Sequence, residues 1–578
     1  MHIATRPCDL SRASFSESTD PLLQRIYQSR GFTSEDDLCL QLSGLPRPDL
    51  LLGIEPAVEQ LIEALNLQQR LLIVGDFDAD GATSSALMIL ALRAMGYQHV
   101  DFLVPNRFEY GYGLTPEIVE LARHKQPDLI ITVDNGISSV EGVDYANQLG
   151  IRVVVTDHHL SGSQLPDAVA IVNPNQPGCH FPCKNLAGVA VAFYLLSALR
   201  ARLRALNWFV EQNIPEPNMA SWLDLVALGT VADVVPLDQV NRALVHQGLL
   251  RIRAGRARPG IQALLRIAGK NPARLVASDL GFAVGPRLNA AGRLDDMSLG
   301  IQCLLTEDPQ RALQDAQALD QLNRDRKHIE RDMQVQALEI VDALALGDPQ
   351  ALPIALCLYQ ADWHQGVVGL LASRIREKYH RPVAVFARDN SGVLKGSIRS
   401  IPGLHIRDAL DAVATQNPGL ISKFGGHAMA AGLSIAETAL EQFEQALQQQ
   451  VTKSIDETDL LASIMTDGAL EPDQITMHKA QLLRDAGPWG QLFPEPCFEG
   501  VFILKQQRIV GENHLKVVLA PSASEPLNLD AIYFNIEVDK WPTTERLVRC
   551  VYRLDINEFR GQENLQLIIQ YMEPCGTE

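Results

Sequence analysis

Residues 71–81 read Leu-Leu-Ile-Val-Gly-Asp-Phe-Asp-Ala-Asp-Gly and join a short apolar run to three alternating carboxylates. The run Leu71–Gly75 has the length and composition of a buried strand, and a helix-length segment, Thr83–Met95, follows it. A strand that passes through a turn into a helix is the first half of a βαβ unit. The stretch therefore predicts a parallel sheet with further strands downstream.

Further strands and helices alternate over the next 75 residues. We predict strands at His99–Val104, Leu129–Val133 and Ile151–Thr156, and a helix over Pro116–His124 that Thr115 opens. Apolar runs of this length, separated by helix-length segments, are typical of a parallel sheet that helices cover on both faces. The first large domain is therefore predicted to be α/β.

The rest of the chain divides into three further regions. After Pro182 the pattern is helical, and one uninterrupted helix is predicted from Asp308 to about Leu346 as a connector between domains. Strands at Pro353–Tyr359 and Pro382–Phe386 indicate a second, smaller α/β domain, and short β-like runs beyond Ala469 indicate a small barrel or sandwich. The predicted boundaries are an irregular N-terminal segment at 1–50, a catalytic domain at 51–305, a connector helix at 306–348, the smaller domain at 349–452 and the barrel at 453–578.

Composition narrows the class of protein. The 578 residues are 46% hydrophobic and 21% charged, as in soluble globular proteins, and no apolar run reaches the roughly 18 residues of a membrane span. The N-terminus lacks a secretory signal, and nine cysteines are sparse and odd in number, so we expect a cytoplasmic protein. The net charge of −19 argues against a basic coat for nucleic acid but does not exclude a local basic groove.

Asp76, Asp78 and Asp80 are the first candidates for chemistry. They follow a predicted buried strand, and three crowded carboxylates repel one another unless a hard cation compensates them. An EF-hand loop fails as an explanation, because its twelfth position would be Leu87 and a strand, not a helix, precedes it. The remaining alternative at this point is a solvated acidic turn.

Two further predicted strands end in ligand-type residues. Leu129–Val133 runs into Asp134-Asn-Gly, and Ile151–Thr156 runs into Asp157-His158-His159. A fourth acid, Asp233, follows an apolar stretch and therefore needs a partner, either a metal ion or a helix end. Mixed carboxylate and imidazole ligands suit Mn²⁺ or Mg²⁺ better than Zn²⁺. The sequence therefore predicts a metal centre at one edge of the sheet.

These motifs also carry a family resemblance. Asp-Phe-Asp-Ala-Asp-Gly, Val-Asp-Asn-Gly, Asp-His-His and Gly-Thr-Val-Ala-Asp resemble the four motifs of the DHH phosphoesterase superfamily. Within it, the chain more closely resembles the RecJ family of single-strand-specific exonucleases, through the segments at 105–114, 285–293 and 425–432. The resemblance covers nearly the whole chain in order. It implies an α/β fold with a parallel-sheet DHH domain, a long helix leading to a smaller α/β DHH-associated domain, and a C-terminal β-barrel of the OB-fold type.

The resemblance implies two Mn²⁺ or Mg²⁺ ions. Asp78 and Asp134 would hold one ion, and the ligands of the other would be Asp80, Asp134, His158 and Asp233. Many relatives have a histidine ligand where this chain has Val74, so Asp76 is expected to compensate directly or through water. Asp157 would orient a ligand, and His159 would contact the scissile phosphate or assist the leaving oxygen. The candidate catalytic residues are therefore Asp76, Asp78, Asp80, Asp134, Asp157, His158, His159 and Asp233.

The implied activity is 5′→3′ exonuclease cleavage of single-stranded DNA to nucleoside 5′-monophosphates in recombination and repair. The expected partners are a single strand with a 5′ end, single-strand-binding protein and a helicase. No membrane partner is expected, and the chain is expected to be a monomer. Tyr112 is a further candidate for base stacking. The candidate substrate-binding residues are Arg107, Tyr110, Arg287, Asn289, Arg293, Ser397, Arg399, Gly425, Gly426 and His427.

Two alternatives stay open on the sequence alone. One is a phosphodiesterase of the same superfamily for short oligonucleotides or cyclic dinucleotides, although such enzymes are usually shorter and lack the barrel. The other is a non-catalytic DNA-binding scaffold that has lost metal ligands. Here only the position of Val74 departs from the ligand pattern.

Overall fold

The structure is a computed structural model, and it describes residues 2–345, 352–389, 391–522, 527–536, 541–559 and 561–575. The side chains of Arg107, Phe108, Glu457 and Phe559 lie outside this description. The chain forms two compact units. One consists mainly of Gln321–Ile464, and the other of Ala4–Gly292, Asp296–Asp320 and Met465–Glu578. The domain boundaries given above stay a prediction.

A five-stranded, fully parallel sheet forms the centre of the larger unit. Its strands are β2 (Leu71–Gly75), β3 (Val100–Leu103), β4 (Leu129–Val133), β5 (Arg152–Thr156) and β6 (Ala170–Val172). The order is β3-β2-β4-β5-β6, so the chain reverses its direction of winding between β2 and β4. Every residue of β2 and β4 is buried, which explains their continuous apolar runs. The predicted parallel sheet is confirmed; the short edge strand β6 was not predicted.

Helices cover this sheet and continue beyond it. Their bounds are α2 (Ile54–Asn66), α3 (Ala79–Ala94), α4 (Arg107–Tyr110), α5 (Pro116–Arg123), α6 (Val140–Gln148), α7 (Gly188–Ala205), α8 (Trp208–Glu211), α9 (Leu223–Ala232), α10 (Gln239–Arg253), α11 (Pro259–Ile267), α12 (Ala277–Asp279), α13 (Gly285–Leu294) and α14 (Ser298–Leu305). A π-helical turn, Leu280–Val284, links α12 to α13. Helix α3 is buried on nearly every side, so the acidic loop before it is anchored in the core. In the described part of the chain, no helix combines the length and apolar character that crossing a membrane requires.

The smaller unit contains a mixed sheet. Its order is β10-β11-β9-β8-β7, in which only β7 and β8 run parallel. One apolar cluster around Phe386 and Phe443 lies on one face, and a second around Leu371 and Val385 on the other. The elements are β7 (Leu356–Tyr359), α16 (Val368–Tyr379), β8 (Val383–Arg388), β9 (Val393–Arg399), α17 (Ile406–Gln416), β10 (Lys423–Gly426), β11 (Ala430–Ala436) and α18 (Leu440–Ser454). Strand β12 (Ser463–Thr466) is not part of this sheet and pairs with β1 (His2–Thr5).

A closed five-stranded barrel follows in the larger unit. Its strands are β13 (Phe498–Val510), β14 (His514–Ala520), β15 (Leu529–Tyr533), β16 (Leu547–Phe559) and β17 (Gln562–Cys575), and helix α19 (Met477–Asp485) precedes them. The pairing of β13 with β16 closes the barrel. The sequence predicts two strands, Glu499–Lys505 and Gln507–Val510, where β13 is one. A bulge between Leu504 and Gln506 interrupts the alternation without ending the strand.

The N-terminal segment is more ordered than its composition predicts. It contains β1 (His2–Thr5) and helix α1 (Pro21–Gln28), which Asp20 caps. The Arg30 guanidinium forms a buried ion pair with Asp467, at 2.7 Å, and the Tyr27 ring stacks 6.3 Å from those of Trp489 and Phe493. Contacts with residues hundreds of positions away therefore order a segment that looks irregular locally.

The long connector helix is confirmed as α15 (Pro309–Leu344). The charged run at 323–332 in the middle of this helix predicts a solvent-exposed connector, yet Asn323, Arg326 and Glu330 are buried. Arg326 donates to Glu330 at 2.7 Å, and Arg374 on α16 donates to the other Glu330 oxygen at 3.1 Å. Part of the charge therefore serves packing within the smaller unit.

Candidate metal centre and active site

The predicted acidic residues meet at the reversal point of the parallel sheet. Asp76, Asp78 and Asp80 follow β2, Asp134 follows β4, and Asp157 begins the loop after β5. In open parallel sheets, ligands bind outside the carboxyl ends of strands where the winding reverses, here between β2 and β4. Asp233 arrives from a different element, since it directly follows α9.

Side chains of this region form three groups whose ligand atoms lie within 4.8 Å of one another. The groups are Asp76, Asp78 and Asp134; Asp80, His158 and Asp233; and Asp134, His158 and His159. Asp134 belongs to two groups, and so does His158. The arrangement therefore offers two adjacent cation positions that share ligands.

Backbone amides fix the acidic loop. The Asp80 carboxylate accepts hydrogen bonds from Gly188 N at 2.6 Å and Val189 N at 3.0 Å, at the start of α7, where the helix dipole favours negative charge. Asp78 caps α3 by accepting from Asp80 N at 2.9 Å and Gly81 N at 3.0 Å. Two of the three carboxylates are therefore held at helix N-termini.

Asp134 adopts a left-handed backbone conformation with φ of +62°. The next side chain stabilises this turn, because Asn135 Nδ2 donates to the carbonyl oxygens of Val133, at 2.9 Å, and Val74, at 3.1 Å. Asn135 therefore ties the end of β4 to the end of β2 and orients the carboxylate that two groups share. Strained backbone of this kind is typical of functional sites.

The protein alone does not compensate the charge of this cluster. Burial raises the pKa of Asp80 to about 8 and that of Asp233 to about 7, with neighbouring carboxylates adding to both shifts. Burial and then Asp80 raise the pKa of Asp134 well above its usual range. Burial lowers the pKa of His158, which favours the neutral imidazole that binds metals. A divalent cation would stabilise all of these groups in their ligating forms.

Three buried atoms show whether the side chains of this site fit a metal ion. Asp134 Oδ1, His158 Nε2 and Asp233 Oδ2 make no hydrogen bond to any described residue. They nevertheless converge, because His158 Nε2 lies 3.1 Å from the Asp134 oxygen and 3.4 Å from the Asp233 oxygen. Buried polar atoms that point at one another without a donor between them fit a shared cation. The oxygen and nitrogen donors match Mn²⁺ or Mg²⁺.

Asp157 and His159 form a different pair within the site. Asp157 accepts from Ile137 N at 2.9 Å, His158 N at 2.7 Å and His159 Nδ1 at 2.8 Å, so its oxygens are occupied by protein donors. Burial lowers the pKa of His159, but the hydrogen bond to Asp157 outweighs it and the pKa is raised to about 9. Without a metal ion, His159 is therefore a cation near neutral pH.

Val74 has no ligand function, because its side chain packs into the apolar cluster with Leu114 and Ile130. Asp76 shares a group with Asp78 and Asp134, and its compensation for the missing histidine stays a prediction.

Several predicted substrate-binding residues have structural partners in the larger unit. Tyr110 packs partly buried against the Leu114 cluster, and the Arg287 guanidinium donates to Asp320 at 2.9 Å. Asn289 Oδ1 accepts from Ala79 N at 2.7 Å, and therefore supports the acidic loop from behind. Each of these three side chains therefore has a protein partner, and their contact with substrate stays a prediction. Arg107 lies in α4, and its side chain is outside the described part of the chain.

The remaining candidates lie in the smaller unit. Ser397 Oγ accepts from Arg399 at 2.8 Å, and both side chains approach Gly369 near the start of α16. Gly425 and Gly426 end β10, and His427 N donates to Ala430 O at 2.8 Å in the turn to β11. Arg293 donates to the carbonyl oxygen of Gly366 at 3.2 Å. Strands β9 and β11 pair Ser397 with Gly432, so Arg399 and the glycine-rich turn belong to one sheet.

Tyr112 reaches the site although the sequence suggested it only as a base stacker. Its hydroxyl group lies 3.1 Å from His159 Nδ1, and its ring contacts Phe77 edge to face at 6.2 Å. The signal available in the sequence was the pair of glycines, Gly111 and Gly113, on either side of it. Alternation alone does not show which of Tyr110 and Tyr112 faces the sheet edge.

The three predicted domains each match a known family model. Residues 70–230 match the N-terminal domain of the DHH family, residues 352–453 match the DHHA1 domain, and residues 466–571 match the RecJ OB domain. The order of the matches is the one that the motifs predict.

Similarity to curated and solved proteins extends over the whole chain. The chain is 55% identical over 559 residues to the single-stranded-DNA-specific exonuclease RecJ of Dickeya dadantii, covering 96% of this chain and 97% of that protein. The crystal structure of RecJ from Thermus thermophilus in complex with Mn²⁺ superposes with a TM-score of 0.80 at 28% identity, over 100% of this chain and 80% of that one. The corresponding complex with Mg²⁺ gives 0.74 at 27% identity, over 100% and 78%. On this evidence the chain belongs to the RecJ family of the DHH superfamily.

Proposed function

We propose that this chain is a metal-dependent exonuclease that hydrolyses single-stranded DNA from its 5′ end and releases nucleoside 5′-monophosphates in recombination and repair. One observation carries the proposal. Buried ligand atoms of Asp134, His158 and Asp233 converge without a hydrogen bond to any described residue, in a chain that matches RecJ along its length. A scaffold that had lost catalysis would have no need to keep these buried groups.

Two divalent cations, Mn²⁺ or Mg²⁺, are proposed to bind in this cluster. Asp76, Asp78 and Asp134 would hold one of them, and Asp80, Asp134, His158 and Asp233 the other, in keeping with the groups described above. When bound, the cations supply Lewis-acid activation of the attacking water and stabilise charge on the phosphodiester.

The residues of the chain supply the remaining functions. Water attacks the phosphorus, and the bond to the 3′ oxygen of the first nucleotide breaks, which releases that nucleotide with its 5′-phosphate and a 3′ hydroxyl group. His159, held by Asp157 and positively charged, would donate a proton to the leaving 3′ oxygen or neutralise the phosphate. Asp157 acts only through His159 and the backbone amides that it accepts from.

Selection of single strands is proposed to involve the DHHA1 and OB regions. Arg399, Ser397 and the turn at Gly425, Gly426 and His427 offer cationic and backbone donors of the kind that bind phosphate. The five-stranded barrel has the architecture of domains that bind unpaired nucleotides by stacking and electrostatics. Arg107, Tyr110, Arg287, Asn289 and Arg293 stay proposals as contacts; for Tyr110, Arg287 and Asn289 we favour support of the site.

The oligomeric state, the cellular location and the protein partners are proposed from the family resemblance and the composition. These are the monomeric state, the cytoplasmic location and the interactions with single-strand-binding protein and a helicase. All nine cysteines are free thiols, as a reducing compartment would require.

The test is a time course on 5′-labelled and 3′-labelled single strands with Mn²⁺, Mg²⁺ or chelator, beside a duplex and a dinucleotide. We expect immediate mononucleotide release from the 5′ label, lost with chelator and with Asp134→Asn. Asp144→Asn, on the exposed side of α6, is the matched control and should retain activity. Cleavage of the dinucleotide alone would indicate a short-oligonucleotide phosphodiesterase, and binding without cleavage would indicate a scaffold.

A further inference from the structure

The conformation of the loop that contains Tyr112 places this residue at the metal centre. Gly111 and Gly113, on either side of it, both adopt left-handed conformations, with φ of +78° and +81°. Ser139 Oγ accepts from Leu114 N at 2.9 Å and lies only 2.9 Å from where a Cβ on Gly113 would stand. The loop is therefore turned by two glycines and anchored immediately after the tyrosine.

The side chain touches the loops that follow three neighbouring strands. Its hydroxyl donates to the carbonyl oxygen of Asp134, after β4, at 3.3 Å, and lies 3.1 Å from Nδ1 and 3.4 Å from Nε2 of His159, after β5. The ring meets Phe77, after β2, edge to face, and His159 at 5.7 Å in the same geometry. Since the hydroxyl proton is directed to Asp134 O and the Nδ1 proton of His159 to Asp157, the phenol oxygen is left to accept from Nε2 of His159, at 3.4 Å.

These contacts close a ring of hydrogen bonds around His159. Asp157 accepts from Nδ1 of His159 at 2.8 Å and from Ile137 N at 2.9 Å, while Tyr112 joins His159 to Asp134 O, three residues before Ile137. A histidine held by one carboxylate can still tilt about that bond. A second contact from Tyr112 removes this freedom.

We infer that Tyr112 is a positioning residue, which holds the His159 ring and the Asp134 turn in register for cleavage. The inference rests on the proposed function and deepens it, because it assigns a residue that acts through His159 on the leaving nucleotide. The hydroxyl group carries this role; the half-exposed ring alone could instead contact a nucleobase, which is the rival outcome.

The first test is a double-mutant cycle with Tyr112→Phe, His159→Ala and the double variant, assayed by steady-state cleavage of 5′-labelled single strands over a range of substrate concentrations. Tyr112→Phe keeps the ring and is expected to lower kcat about tenfold, the value of one hydrogen bond to a charged group, with KM and the Mn²⁺ midpoint within about twofold. In the His159→Ala background the same substitution is expected to have no further effect, because its target is gone.

Tyr145→Phe is the matched control, because it removes a hydroxyl that donates to Glu120 at 3.1 Å on the outer helices. It should leave kcat unchanged. Independent losses in the cycle, or a raised KM with unchanged kcat, would overturn the inference; the latter would assign the ring to substrate contact.

A second readout does not depend on activity. Crystals of Tyr112→Phe grown with Mn²⁺ should show the His159 ring tilted away from its 2.8 Å contact with Asp157 or in two orientations. A ring in the wild-type position would overturn the inference even if the wild-type chain proved inactive. Inactivity of the wild-type chain would by itself count only against the proposed function.

Discussion

Gly292 on α13 approaches the acidic loop so closely that any side chain there should disturb the metal centre. A Cβ on Gly292 would lie 1.7 Å from the carbonyl oxygen of Phe77, and real Cβ contacts do not fall below 3.0 Å. Gly292→Ala therefore requires the loop or the helix to move by about 1.3 Å in a close-packed interior. Phe77 lies between Asp76 and Asp78, so the displacement is passed directly to two carboxylates of one ligand group.

The magnitude follows from this displacement. A misplacement of about 1 Å costs roughly a hundredfold in rate when reacting groups must be aligned, so we expect kcat to fall about a hundredfold. We also expect more Mn²⁺ to be required for half-maximal activity. The fold should persist, because alanine is favoured over glycine inside a helix by roughly 0.5–1 kcal/mol and offsets part of the strain.

The assay measures mononucleotide release from 5′-labelled single strands over a Mn²⁺ series, together with thermal unfolding. Gly44→Ala is the control, since Gly44 is exposed and the nearest atom to its Cβ would be Cys39 Sγ at 3.6 Å. A Gly292→Ala protein with a raised Tm, wild-type kcat and unchanged Mn²⁺ dependence would refute the reasoning, because that result means no clash exists.

Three other predictions follow from features of the larger unit. Val234 is β-branched, 63% exposed and left-handed with φ of +62°, so Val234→Asn should stabilise the chain by about 1 kcal/mol, and a lowered Tm would contradict this. Asp467→Asn leaves the buried Arg30 charge unpaired and should cost roughly 3–5 kcal/mol in urea unfolding, whereas Lys125→Met, which breaks an exposed pair with Asp101, should change stability by less than about 1 kcal/mol; equal effects would argue against a buried pair. Without metal, the raised pKa values of Asp80, about 8, and Asp233, about 7, mean that the folded chain holds protons that the unfolded chain releases near pH 4, so stability should fall as pH rises from about 5 to 8. Mn²⁺ competes with those protons, so the Tm difference between metal-bound and metal-free protein should widen over the same range, and a constant difference would contradict the assignment.

The parallel sheet and its acidic edge could be predicted because their signals are local. Strands β2, β4 and β5 are buried on both faces, so each is a continuous apolar run, and each ends directly in ligand-type residues. The convergence of Asp76, Asp134 and His158 then follows from parallel topology alone.

Side-chain direction and distant contacts could not be predicted in the same way. Arg287 bonds to Asp320, and no local pattern in the sequence reveals the position of Asp320 relative to α13. Helix α1 was missed because Tyr27 finds its apolar partners at Trp489 and Phe493. Helix α19 was missed among short β-like runs, and the bulge in β13 was mistaken for a break between two strands.

The contact between Arg30 and Asp467 also sets an order of events during synthesis. These partners are 437 residues apart along the chain. At translation rates of about 5–20 residues per second, the partners of Arg30 and Tyr27 are synthesised roughly 20 to 90 seconds after these two residues. The parallel sheet can be complete long before then. A segment made early in translation is therefore among the last to reach its native environment, and it exposes apolar surface to chaperones and proteases throughout that interval.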